Sequence, residues 1–135
     1  MMNTRRKKKT STNKKVVNAT PNTYDGIKFR SKLETYVYQQ LKAHNLKADY
    51  EPIKFELVPA FEFCGKKFRA ITITPDFVGE NFIIEAKGHP NDAFPMKWKM
   101  FLWHLINRKE ANKYKLFIVH NHKEVDECIR RIQEV

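Results

Sequence analysis

A mixed α/β fold, with a sheet flanked by helices, is predicted from three features. Apolar residues recur at helical spacing near residues 33–41 and 94–106, a β-favouring stretch separates these runs, and a further strand and helix follow. Ser31-Lys32-Leu33-Glu34 has the form of a capping box. Leu33, Val37 and Leu41 follow on one face, so a first helix is expected from about Ser31 to His44. Tyr50 to Val58 and Phe61-Glu62-Phe63 read as strand material broken by Pro59, and Cys64-Gly65-Lys66-Lys67 reads as a turn. Phe68 to Phe77 is then a strand carrying Asp76 near its end. Phe82 to Lys87 is its partner, interrupted by Gly88-His89-Pro90-Asn91. A second helix begins near Asp92 with Pro95 in its first turn, and Phe94, Trp98, Phe101, Leu102, Leu105 and Ile106 form its buried stripe. Lys115 to His120 alternates as a strand, and Val125, Ile129 and Ile132 mark a last helix, giving the order α-β-β-β-α-β-α.

At 135 residues the chain is long enough for one core but not two. Its formal net charge is +11, and the distribution is uneven. Residues 1–22 hold seven of the 26 lysines and arginines and no acid, leaving 19 basic residues against 15 acidic ones in residues 23–135. The expected organisation is therefore a basic tail, 1–22, and a folded domain, 23–135. The tail is expected to be disordered. Its composition suits either phosphate contacts through counterion release or a solubilising extension. No apolar run is long enough to cross a bilayer, and the polycationic start lacks the apolar segment of a signal peptide, so a cytoplasmic location is expected. Cys64 and Cys128 have no CxxC spacing and are expected to be reduced structural thiols rather than zinc ligands; the five histidines share no metal-ligand spacing.

The most specific signal is Thr74-Pro75-Asp76-Phe77 followed by Ile83-Ile84-Glu85-Ala86-Lys87-Gly88. Gly79-Glu80-Asn81 lies between them as a cluster of turn residues, so a tight antiparallel hairpin is predicted. With Glu80 and Asn81 as the turn, Phe77 pairs with Ile84 and Asp76 with Glu85. Their Cβ atoms then lie about 4.5–5.5 Å apart, and Lys87 projects from the same face. A two-residue slip leaves the carboxylates diagonal on that face, whereas a one-residue slip sends Glu85 to the other side. Two neighbouring carboxylates repel unless a cation lies between them. Hard oxygen ligands with vacant water positions suit Mg2+, with Mn2+ able to substitute. A metal so held binds a scissile phosphate and activates water, while an adjacent lysine stabilises developing charge. The plain alternative is a charge-paired Asp, Glu and Lys on a half-exposed sheet.

Taken together, this element order and the Asp76…Glu85-Ala86-Lys87 motif resemble the PD-(D/E)XK nuclease superfamily. Small phage-associated members of that superfamily are closer still. They share a pattern like Asp25-Gly26-Ile27-Lys28-Phe29-x-Ser31-Lys32-Leu33-Glu34, a stretch like Gly65-Lys66-Lys67-Phe68-Arg69-Ala70-Ile71, and a Trp-Lys pair like that in Lys97-Trp98-Lys99. The resemblance implies a restriction-endonuclease-like core and a metal-dependent deoxyribonuclease. Asp76 and Glu85 would bind the metal, the Ala86 carbonyl would assist, and Lys87 would act in catalysis. Junction-resolving and transposon end-cleaving members complete their site with a glutamate on the first helix, and Glu34 is similar by position. The other role for Glu34 is the capping box itself. Lys28, Arg30 and Lys32, with Lys97 and Lys99 beside Trp98, are candidate contacts to phosphates flanking the cut, or solvated surface charges. Trp98 is expected in the core rather than as a stacking platform. His89 is a loop residue within reach of substrate. The expected partner is DNA, with branched DNA such as a four-way junction leading, and cutting two strands suggests a homodimer. The alternatives are a DNA-binding module without turnover and a nickase of linear duplex.

Overall fold

The computed structural model describes residues 20–88 and 92–134. The expectation of a disordered tail falls mostly on residues 1–19 and that for His89 on residues 89–91, both outside the described residues. Two short strands, β1 (Asn22–Tyr24) and β2 (Ile27–Phe29), form an antiparallel hairpin ahead of the first helix, an element the sequence reading had not placed. Its turn residues Asp25 and Gly26 both take left-handed backbone angles, φ 58° and 79°. This is the two-residue geometry that Asp-Gly favours. The Asp25 carboxylate accepts hydrogen bonds from Tyr38 and Lys42, which ties the hairpin to the helix that follows.

That helix, α1 (Lys32–Ala43), lies within the predicted span, with Ser31 and His44 as its caps. Strand β3 (Ala48–Tyr50) follows it. Next come β4 (Phe55–Val58), β5 (Phe61–Phe63), β6 (Lys66–Phe68) and β7 (Ile71–Ile73). These four make one folded-back ribbon. Phe55 and Glu56 pair with Ile73 and Thr72, a bulge at Leu57 shifts the register by one, and the new register of Val58 with Ile71 persists through Phe61–Phe68 to Phe63–Lys66 at the tip. The turn there is Cys64-Gly65, both with positive φ, while Lys66 and Lys67 belong to a strand rather than to the predicted turn.

The single strand expected over Phe68 to Phe77 is divided. After β7 the chain passes through Thr74, the buried Pro75 and Asp76 before β8 (Phe77–Gly79) begins. Pro75 has no N–H for a ladder bond and so separates ribbon from sheet. Beyond β9 (Phe82–Ala86) lie α2 (Phe94–Asn107), β10 (Lys115–Val119) and α3 (His122–Gln133).

The central sheet has the order β10-β9-β8-β3. β9 and β10 are parallel, as the intervening helix allows, and the remaining pairs are antiparallel. β9 is central and buried on both faces. On one side Phe77, Phe82 and Ile84 pack with Phe29, Val37 and Leu41, and with Val125 and Ile129 of α3. On the other, Val78 and Ile83 pack with Ile73 of the ribbon and Phe101 and Leu105 of α2. The fold is thus mixed α/β, with three helices and several sheets among the described residues. Two corrections concern side chains. Leu102 and Ile106 of α2 are exposed instead of buried, because the helix packs on the sheet and ribbon mainly through Phe101 and Leu105, with Phe94 and Trp98 half-buried. Cys64 lies exposed at the ribbon tip and packs in no core, whereas Cys128 is buried and its thiol is pushed up to about 12 by desolvation.

Candidate active site

The hairpin of β8 and β9 adopts the first of the two predicted registers. Phe77 pairs with Ile84 and Val78 with Ile83, so the next pair along is Asp76 and Glu85. Gly79 permits the tight closure: a Cβ there would meet the Phe82 ring at 2.4 Å. Each acid accepts from the opposite strand's backbone. The Asp76 amide donates to Glu85 Oε1 at 3.1 Å, and the Ala86 amide donates to Asp76 Oδ2 at 2.8 Å. Asp76 is fixed from a third direction by the Glu51 amide, which donates to its carbonyl at 2.8 Å. Each carboxylate therefore spends one oxygen on an amide. Oδ1 of Asp76 and Oε2 of Glu85 have no protein partner among the described residues.

Both groups are buried, 5 % and 7 % exposed, and both titrate above the usual carboxylate range. For Asp76 the main cause is burial, followed by the negative charges of Glu85, Glu34 and Glu51; the Ala86 amide opposes the shift. For Glu85 burial again leads, opposed by the Asp76 amide and the Lys87 charge and reinforced by Glu34 and Glu51. Four carboxylates thus share one electrostatic neighbourhood. Among the described residues no three His, Cys, Asp or Glu side chains gather closely enough to hold a metal by themselves.

Glu34 is 5 % exposed on the first turn of α1. The capping box forms only in part. Ser31 Oγ accepts from the Glu34 amide at 3.1 Å, but the Glu34 carboxylate does not return to the Ser31 amide. Its Oε1 accepts instead from the Arg30 amide at 2.9 Å and the Tyr50 hydroxyl at 2.7 Å. Tyr50 is in turn raised above its ordinary value by burial and by Glu34. Glu34→Ala is expected to destabilise the fold by about 1–2 kcal/mol, since it leaves a half-buried hydroxyl and an amide without their acceptor. Glu34→Gln retains an acceptor without the charge. A normal urea midpoint for Glu34→Gln, beside a lowered one for Glu34→Ala, would separate the hydrogen-bonding role of this side chain from its charge.

Lys87 follows β9 on the side of Glu85. It makes no ion pair among the described residues, and its ammonium stands 4.8 Å from the centre of the Phe94 ring. With Phe94, Trp98, Lys99 and His120 it lines an open depression between α2 and β10. Ala86, named for its carbonyl, contributes its amide to Asp76. Lys28 and Lys99 are exposed and Lys97 half-buried, while Arg30 is exposed and pairs with Glu51 at 3.2 Å.

Residues 13–123 match a family model described as a protein of unknown function (DUF1064). The chain belongs to this family. The DUF1064 match takes in every candidate residue of the site and the whole ribbon, and it stops in the first turn of α3. No curated protein and no solved structure matches the chain.

Sequence reasoning missed Tyr50 and Glu51. Tyr50 orients Glu34, and Glu51 reaches the site through its amide and its charge. No sequence signal marked them: Pro52 biases the residue before it toward extended backbone, which Glu51 does not adopt. Glu51 takes φ 49°, a left-handed conformation costly for a non-glycine residue.

Proposed function

We propose that this DUF1064 protein is a divalent-cation-dependent endodeoxyribonuclease with a restriction-endonuclease-like core, and that Asp76 and Glu85 hold the cation. The observation that carries this reading is the reciprocal clasp. Two buried carboxyls, each pinned by one backbone amide and each with an uncommitted oxygen, lie side by side where burial and neighbouring negative charge disfavour their ionised forms. A small hard cation resolves that conflict. The donor set fits Mg2+ or Mn2+, which take carboxylate oxygens and complete their shells with water or substrate oxygens. When bound, such a cation polarises a phosphodiester and lowers the pKa of water.

The chain's own groups have separable roles. Asp76 and Glu85 would hold the cation through their carboxylates, which must be deprotonated to ligate it. Lys87 brings positive charge beside Glu85 and is placed to stabilise charge on the cleaved phosphate. Glu34 deepens the negative field at both carboxyls. Arg30, Lys28, Lys97 and Lys99 offer contacts to flanking phosphates, and the Arg30–Glu51 ion pair is a weak surface interaction that a phosphate can displace. Branched DNA remains the leading substrate and a homodimer the leading assembly, because one chain carries one clasp and paired strand cuts need two.

Plasmid nicking tests the reading. Supercoiled DNA should be relaxed with Mg2+ and not with EDTA. Lys87→Ala should slow the reaction by about 10²–10³-fold, and Asp76→Ala should abolish it. Binding without any metal-dependent cut would replace the nuclease with a binding module. Parallel digestion of junction, flap and linear DNA ranks the substrates.

A further inference from the structure

We propose that the outer end of the ribbon, β5 and β6, is a docking surface for DNA with unpaired bases. Every residue from Phe61 to Arg69 is exposed, an unusual place for three phenylalanines. Cross-strand pairing puts Phe61 opposite Phe68 and Phe63 opposite Lys66, and positions two apart share a face. One face of the tip thus carries Phe61, Phe63, Phe68 and Lys66 with no acid. The other carries Glu62 opposite Lys67. The Phe61 and Phe68 rings are stacked, with centroids 5.0 Å apart and planes 15° apart, and the Lys66 ammonium lies 5.6 Å from the Phe68 ring. Phe63, at 68 % exposure, stands beyond them at the tip.

Rings and cations in alternation match a polyanion whose residues have flat apolar faces. Bases stack on exposed aromatics when they are not already paired, and lysines beside them take the phosphates. Lys66, Lys67 and Arg69 against the single acid Glu62 make the tip net positive, which disfavours a second copy of this basic chain as its occupant. The choice of DNA as the polymer rests on the nuclease reading, and the tip would direct that activity to forks, flaps or junctions.

The test is anisotropy of a labelled oligothymidylate of about 20 nucleotides with the full chain, in EDTA so that cleavage plays no part. Phe63→Ala should weaken binding about tenfold, and Phe63→Trp should restore it, since stacking is worth about 1–3 kcal/mol per base. A duplex of equal length should change by less than about twofold, because its bases are already stacked. The double variant Lys66→Ala/Lys67→Ala should reduce the salt slope of binding by about 1.4. A thermal midpoint unchanged in Phe63→Ala guards against a folding artefact. Unaltered affinity in Phe63→Ala, or a wild-type dimer in sedimentation that the same substitution splits while binding persists, overturns the proposal. Loss of oligothymidylate binding in a chain that never nicks plasmid would keep the tip and discard the nuclease; nicking with binding indifferent to Phe63 would do the opposite.

Discussion

Asp76→Asn is expected to raise the thermal midpoint of the metal-free protein while abolishing Mg2+-dependent cleavage. The asparagine still accepts from the Ala86 amide, and the residue's own amide still donates to Glu85, so the clasp survives without one of its charges. The sign follows from linkage. Both carboxyls titrate higher in the folded chain than the ordinary value near 4, so the native state keeps protons that the unfolded chain releases. Their contribution to stability is whole below about pH 4 and is lost as pH rises through the raised native values. At pH 8 in EDTA, relief of that penalty should shift the midpoint upward by about 5 °C. Adding Mg2+ should stabilise the wild type, by about 2.7 kcal/mol at a hundredfold excess over the dissociation constant, and leave Asp76→Asn unmoved. Scanning fluorimetry with and without Mg2+ provides all four values. A lower midpoint for the variant in EDTA would show that the two acids are not in conflict in the native state.

Phe29→Ala should produce the largest loss of stability, about 3–5 kcal/mol, a substantial fraction of what a domain of this size possesses. Phe29 is completely buried at the end of β2. Its ring meets Tyr50 edge-on at 4.8 Å and lies 5.2 Å from Tyr38 and 6.2 Å from Phe77. Those neighbours belong to the site's support: Tyr50 holds Glu34, Phe77 adjoins Asp76, and Arg30, next to Phe29, donates its amide to Glu34. Urea denaturation should show a lower midpoint with an unchanged slope. A loss below about 1 kcal/mol would mean that the aromatic group closes over the gap.

Local signals were legible in the sequence where a few neighbouring residues decide the outcome. Ser31 and the Leu33, Val37 and Leu41 stripe bounded α1, and Gly79-Glu80-Asn81 set the hairpin register that brings Asp76 and Glu85 together. Where the outcome depends on distant packing, the sequence misled. Phe68 to Ile73 has strand propensity, but the expected strand ran on across Pro75, which ends it, and the ribbon's separate register divides it from β8. Leu102 and Ile106 obey the helical period but find no surface to cover them. Tyr50 and Glu51 were invisible because their relation to the site is purely tertiary: a hydroxyl crossing to α1 and an amide crossing to Asp76. Glu34 was an open question between cap and site. Its side chain does not return to the Ser31 amide but accepts from the Arg30 amide and the Tyr50 hydroxyl, while its charge is felt at Asp76 and Glu85.

The ribbon leaves the sheet through Glu51 to Lys54 and returns through Thr74 to Asp76, and these two crossings are stitched by the Glu51-to-Asp76 hydrogen bond. The base of the arm is therefore fixed at the very peptide that carries one of the two clasped acids, so ribbon and carboxyl pair share a single anchor.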